Sequence, residues 1–359
     1  MSRLADLLVR DRQVFEKKYG HQLLPGQRRA IDAIINCRTG ACGETTMLCT
    51  ECDDLHTHEH SCGNRSCPQC QNHTATEWLQ RQQSKLLPVR YYMVTFTLPC
   101  ELRKTAYLNQ RKIYDALFDA AIETIQDVAS NPRHLGAKPG MTLVLHTHSR
   151  KLKLHPHVHI IMAAGGVIAR EKLWKQGSRK YLFPKDVLKP LFKEKFLARM
   201  RDLKIPYPYC LHKMGWVVNV RAAGSGEPAM KYLSKYLYRG VIQERNILKD
   251  ENGMITFQYL DSETNRTEQI TLPAADFIMR VIQHVLPKRF RRIRDIGFHH
   301  GNAKKTLRKI QVALAGVPRA MTRIPKPKLT CRTCGTCLII VPRVFSRHHE
   351  LERNRGSPG

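Results

Sequence analysis

Apolar residues recur in two periods along this chain, and the changes of period mark its elements. Leu4, Leu7, Leu8, Val14 and Phe15 fall at helical spacing over residues 3–18, with charges between them. A second helix is expected from Gln27 to Asn36, and a third over residues 74–87, closed by Pro88. The β-branched and aromatic run from Val89 to Leu98 reads as a strand. A long helix follows from Arg103 to Ala129, ended by Asn131-Pro132. Met141–His148 reads as a second strand, and a third is expected to begin just after Pro156, which has no N–H for a ladder. Beyond it the pattern gives a basic helix near Lys185–Leu203 and a strand over Gly215–Arg221. A helix then opens at Gly224-Ser-Gly-Glu-Pro228, with Pro near its first turn. Residues 241–248 and 254–260 flank Asn252-Gly253 as a hairpin, and Pro273 to Leu286 is helical again. Strands interspersed with helices, and hairpin-like neighbours, predict an α+β fold with a mainly antiparallel sheet flanked by helices.

The two central strands carry histidines. His157 and His159 in His155-Pro-His-Val-His159 are two apart and share one face, while Val158 and Ile160 face the other way. Met141–His148 ends in His146-Thr-His148, and the short connection favours antiparallel pairing of the two strands. Four imidazoles then converge. A lone His-x-His pair is as often core or surface as ligand, but neutral imidazole is the commonest protein metal ligand, and a second pair alongside favours a metal site. His146 is the expected third ligand beside His157 and His159, ahead of His148 and His155, because a cross-strand neighbour presents its side chain on the same face.

Charge and cysteine content change the picture further. Sixty Lys and Arg against thirty Asp and Glu give a formal charge of +30, which points to a polyanionic partner. No apolar run reaches the ~20 residues of a spanning helix, and Asp6 and the charges after it do not suit a signal peptide, so a cytoplasmic protein acting on nucleic acid is expected. Between Pro287 and Lys328 there are thirteen Lys and Arg and one acid, Asp295. Arg289, Arg291, Arg292 and Arg294 are the expected phosphate contacts there, with Arg239 upstream. Seven of the twelve cysteines lie between Cys37 and Cys70 and three between Cys331 and Cys337. In a cytosolic chain that clustering means metal rather than disulfides. Cys49-Thr-Glu-Cys52 and Cys67-Pro-Gln-Cys70 are two knuckles expected to share one structural zinc, with Cys62 a further possible ligand and the remaining thiols and histidines surplus to one ion. Cys331-Arg-Thr-Cys334-Gly-Thr-Cys337 supplies three more thiolates and needs a fourth ligand, such as His348 or His349.

The helix after Pro228 holds Tyr232 and Tyr236 at i and i+4, hence on one face, with Lys235 one turn from Tyr232. On an isolated helix such a pair is more often core packing than chemistry. In combination the motifs resemble the rolling-circle transposases of the insertion-sequence-ninety-one family, within the HUH (His-hydrophobe-His) endonucleases. Ser61-Cys62-Gly-Asn-Arg65-Ser-Cys67-Pro-Gln-Cys70 is similar to that family's zinc region, and Phe96-Thr-Leu-Pro99 to the first initiator motif. His157-Val-His159 is similar to the HUH motif, Tyr232-x-x-x-Tyr236 to the paired-tyrosine helix, and Phe290-Arg-Arg-Ile-Arg294-Asp-Ile-Gly297-Phe298 to a basic C-terminal segment.

The resemblance implies a transposase that cuts and rejoins single-stranded DNA at element ends and target site, with Tyr232 and Tyr236 as nucleophiles and 5′-phosphotyrosine intermediates. Lys235 would assist by stabilising charge. A Mg²⁺ or Mn²⁺ ion on the histidines would polarise the phosphate, imidazole suiting Mn²⁺ better, and Zn²⁺ would be structural. A zinc-dependent hydrolase would also explain the His-x-His pair, but not the tyrosines or the charge. A non-enzymatic zinc-containing DNA-binding protein would explain the charge and cysteines while leaving the strand histidines idle. The chain is expected to divide into a helical collar with a Cys-rich module (1–85), a catalytic domain (86–286), a basic segment (287–328) and a Cys-containing tail (329–359).

Overall fold

A computed structural model describes residues 3–70, 72–168, 170–171, 173–177, 183–238, 241–261, 264–315 and 328–340, without the side chains of Asn72, Lys235, Tyr236 and Tyr238. The chain separates into two compact units, neither of them continuous in sequence. One joins residues 36–62 to 324–359, and the other joins residues 2–35 to 63–323.

In the larger unit, helix α1 (Asn72–Gln83) precedes strand β1 (Tyr91–Thr97), and helix α2 (Gln110–Ser130) leads to β2 (Met141–His148) and β3 (Leu154–Ala163). Helix α3 (Lys185–Asp202), β4 (Val217–Ala222) and helix α4 (Glu227–Tyr238) follow. Then come β5 (Ile247–Glu251), β6 (Met254–Leu260), β7 (Thr267–Pro273) and β8 (Ile293–Ile296). Five of these strands form one sheet in the order β8-β2-β3-β1-β4, every neighbouring pair antiparallel. The fold is therefore α+β and antiparallel, as the hydrophobic pattern implies. Strand β3 is central, flanked by β1 and β2.

Alternation along the strands separates the two faces. Tyr92, Val94 and Phe96 of β1, Leu143 and Leu145 of β2, and Val158, Ile160 and Met162 of β3 are buried against the apolar sides of α2 and α3. Met93, Val144, Ile161 and Ala163 point the other way and pack with Trp78 of α1 and Met230, Leu233 and Leu237 of α4. Those three recur at helical spacing, which fixes the face that α4 turns toward the sheet.

Several boundaries differ from the sequence reading for local reasons. Strand β3 starts at Leu154 and runs through Pro156. The carbonyl of Pro156 accepts from Leu98 N–H (3.0 Å), and on the β2 side the register shifts between His146 and His148, so the missing proline N–H falls at an irregularity. The helix expected from Arg103 to Ala129 breaks at Asn109 (φ −123°). The hairpin gains a third strand, giving a sheet in the order β7-β6-β5. Strand β8 lies within the segment expected to be a basic DNA surface and pairs with β2. Arg65, from the cysteine-rich stretch, donates to the carbonyls of Phe290 (2.7 Å) and Leu286 (3.0 Å), and so ties the approach to β8 in place.

The smaller unit holds a three-stranded antiparallel sheet in which Ile339–Ile340 pairs with Glu44–Leu48, itself paired with Leu55–Glu59. Among the described residues no helix is long and apolar enough to cross a membrane.

Candidate active site and metal centres

Strand pairing assembles three imidazoles on the α4 face of the sheet. His146 of β2 lies directly opposite His157 of β3, and His159 lies two positions on. Ring centroids are 4.5 Å apart for His146 and His159, 4.8 Å for His157 and His159, and 5.3 Å for His146 and His157. Each ring offers a nitrogen such that the three lie within 4.8 Å of one another. The rings meet nearly edge to face, at 74–86°, so their nitrogens converge instead of stacking.

Hydrogen bonds orient two of the rings. His157 Nδ1 is 2.7 Å from the carbonyl oxygen of His155; a carbonyl only accepts, so Nδ1 carries the proton and Nε2 keeps its lone pair. His159 Nδ1 is 2.8 Å from Thr95 Oγ1, and Thr95 is the residue opposite His159 across the β1–β3 pair. Burial drives the pKa of all three imidazoles down, that of His157 to about 3, and neighbouring rings push His146 and His159 in the same direction. The three rings are therefore neutral donors at physiological pH, which is the form that binds metal. The donor set fits a divalent ion.

Tyr232, half-buried on α4, stands over this cluster, its ring centroid 6.3 Å from that of His159 and the planes at 86°. Histidines and tyrosine line a cleft of about 690 Å³ together with Gln258 and Tyr259 of β6, Arg150, Lys151 and Asp261. The cleft is large enough for a nucleotide, and its lining holds Arg150 and a Lys151–Asp261 pair at 3.4 Å. His148 also lines it but stays outside the three-ring set; it sits against His284, the centroids 5.5 Å apart. The side chains of Tyr236 and Lys235, and the whole of Arg239, lie outside the described residues. Thr95 and His284 escape a sequence reading. Only strand register could have pointed to Thr95, and nothing in the local pattern points to His284.

The cysteines group differently from expectation. Cys49 and Cys52 converge with Cys331 and Cys334, all four sulfurs within 4.8 Å of one another. The set is filled without Cys67 and Cys70, which belong to the other compact unit. Cys49 and Cys52 lie beside this second knuckle because the C-terminal strand returns to the edge of Glu44–Leu48 and brings Cys331 and Cys334 along. His348 and His349, considered for the C-terminal thiols, lie outside the described residues.

Comparison with known proteins decides the family. Residues 140–306, which contain the three histidines and Tyr232, match the family described as "Putative transposase", and residues 8–98 match "Transposase zinc-binding domain" of the IS91 group. The chain is 32% identical over 317 residues to "Putative transposase y4qJ" of Sinorhizobium fredii, covering 82% of this chain and 79% of the relative. It is 30% identical over 308 residues to the transposase for insertion sequence element IS801 of Pseudomonas savastanoi pv. phaseolicola, covering 78% and 73%. The chain belongs to the IS91 transposase family. No solved structure matches it.

The transposase uses its basic residues unevenly. Arg289 and Arg291 are exposed. Arg294, among the expected phosphate contacts, is engaged with acids of α2. Its guanidinium pairs with Asp115 and with Asp119 (2.7 Å), and lies 4.3 Å over the Phe118 ring. Alternation along β8 explains this, since Ile293 and Asp295 turn toward the α4 side, whereas Arg294 turns toward α2. Arg292 is half-buried and lines a small cavity with His146 and His148, where its charge further disfavours protonated imidazole.

Proposed function

We propose that this transposase cuts and rejoins single-stranded DNA at element ends and target through 5′-phosphotyrosine links, in rolling-circle fashion. The observation that carries this reading is Tyr232 beside three converging, neutral imidazoles in a cleft large enough for a nucleotide. His146, His157 and His159 would hold a Mg²⁺ or Mn²⁺ ion, which when bound supplies Lewis-acid polarisation of the non-bridging phosphate oxygens. The Tyr232 hydroxyl attacks phosphorus, the bond to the 3′ oxygen breaks, and the phenolic proton balances the released 3′-hydroxyl. Attack by a 3′-hydroxyl on the tyrosyl phosphate reverses the exchange, so bond energy is conserved and no nucleotide triphosphate is consumed. Free tyrosine has a pKa near ~10, so its hydroxyl needs a neighbouring charge to react at neutral pH. Lys235, one helical turn from Tyr232, is the proposed source within this chain. Tyr236, at i+4 from Tyr232, provides a second nucleophile, so that a second strand can be cut while the first remains attached.

Incubation with a short single-stranded substrate and Mn²⁺, followed by denaturing electrophoresis, tests this. The wild-type chain should yield a covalent protein–DNA band. Tyr232→Phe and Tyr236→Phe should each retain part of it while losing transposition, and the double variant should yield none. An undiminished band from the double variant would place the nucleophile elsewhere.

A further inference from the structure

The zinc-binding match ends at residue 98, yet the thiols that surround Cys49 and Cys52 come from the far end of the chain. We propose that Cys331 and Cys334 complete a four-thiolate zinc site with Cys49 and Cys52, so that one structural ion staples the C-terminal segment to the N-terminal one.

The geometry is that of a metal tetrahedron and not of disulfides. Cys49 and Cys334 sulfurs are 3.3 Å apart, Cys52 and Cys331 3.6 Å, and Cys52 and Cys334 3.7 Å. Zn–S bonds of about 2.3 Å at tetrahedral angles require S···S separations of roughly 3.8 Å, whereas a disulfide needs ~2.05 Å. The two halves are built alike. In each, a Cys-x-x-Cys pair is followed directly by a residue with positive φ, Asp53 at 53° and Gly335 at 79°. That turn folds the backbone around the sulfurs. Gly335 N–H donates to the Cys331 carbonyl (3.0 Å), and Thr333 N–H donates to Cys331 Sγ (3.4 Å), a bond that favours thiolate.

Surrounding contacts hold the halves together. Thr333 Oγ1 donates to Asp54 Oδ2 at 2.9 Å, bridging the knuckles, and His56 Nε2 lies 3.2 Å from Cys331 Sγ. Met47 and Leu48, just before Cys49, pair with Ile340 and Ile339, just after Cys337. The strand pairing thus puts both knuckles at one end of the same small sheet. That sheet buries little apolar area; Leu55, Ile339 and Ile340 are all exposed. A unit with so small a core needs a metal or a crosslink to hold, because its segments lie 279 positions apart in the chain.

Zinc content of the full-length chain tests the assignment. Cys49→Ser/Cys52→Ser and Cys331→Ser/Cys334→Ser should each lose one zinc per chain, and the quadruple variant should lose no more than either. Full zinc in the C-terminal double variant, or loss of two ions in the quadruple variant, would overturn the shared site. A second measurement needs no variant. Oxidative zinc ejection from the wild-type chain, followed by peptide mapping, should give crosslinks between the peptides holding Cys49 or Cys52 and those holding Cys331 or Cys334. Crosslinks from Cys49 or Cys52 to Cys67 or Cys70 instead would restore the sequence-local grouping.

Discussion

At the scale of single residues, the site depends on where protons sit on imidazole. The carbonyl of His155 fixes the His157 tautomer, and Thr95 Oγ1 occupies Nδ1 of His159, so in both rings Nε2 is left for a ligand. Removing such an outer partner commonly costs a metal site 10–100-fold in affinity. Thr95→Val keeps the β-branched shape that the strand favours and deletes only the hydroxyl. We expect it to weaken Mn²⁺ binding by roughly tenfold or more with the fold intact, as measured by titration calorimetry. An unchanged dissociation constant would show that Thr95 does not orient His159. Much of this site can be read from sequence, because period-two alternation places His157 and His159 on one face. The converse holds for the cysteines. Cys49 and Cys52 look complete with Cys67 and Cys70 nearby, and nothing local signals that Cys331 and Cys334 return to them.

At the scale of elements, β8 shows why composition misleads. Its sequence, Ile293-Arg-Asp-Ile296, sits in the steepest basic stretch of the chain, and the charge conceals a strand that closes one edge of the sheet. The consequence is a division between arginines that support the fold and those that face solvent. Arg289→Ala/Arg291→Ala should leave thermal stability nearly unchanged and flatten the dependence of single-stranded DNA binding on salt, by about 0.7 in log–log slope for each phosphate no longer neutralised. Arg294→Ala should do the reverse. It removes the partner of two partly solvated carboxylates, Asp115 and Asp119, and a cation from the Phe118 ring, so a loss of about 1 kcal/mol in urea unfolding is expected with the salt slope retained. A flattened slope in Arg294→Ala at wild-type stability would return that residue to the DNA surface. The tyrosine helix is the more legible element. The stripe of Met230, Leu233 and Leu237 is plain in sequence, and once it faces the core Tyr232 can only stand at its margin, beside His159.

At the scale of the whole molecule, the buried imidazoles make stability depend on pH. His148 and His157 are held neutral with pKa values lowered to about 3, and His284 and His299 to about 4, desolvation being the leading cause in each. In the unfolded chain the same groups titrate near 6.5. The unfolded state therefore binds more protons than the folded state between pH 6.5 and about 4, and unfolding free energy falls as pH drops through that window. Above pH 6.5 both states are deprotonated and this contribution is constant. For His284 alone the loss at pH 5 amounts to roughly 2 kcal/mol. The other three add to it, and protonation worsens the self-repulsion of a chain already at +30. Bound divalent metal changes the size of the effect but not its sign, since His157 must be neutral to coordinate. Urea midpoints recorded in chelator from pH 7.5 to 4.5 should be flat at first and then fall steadily below about pH 6.5. His284→Gln isolates one term: its amide can still donate to the Leu152 carbonyl that His284 Nε2 contacts at 3.1 Å, but it cannot titrate. That variant should lose less stability than wild type between pH 7.5 and 5, by about the 2 kcal/mol assigned to His284. Parallel curves for variant and wild type across this window would mean that His284 titrates in the folded state as it does in the unfolded one.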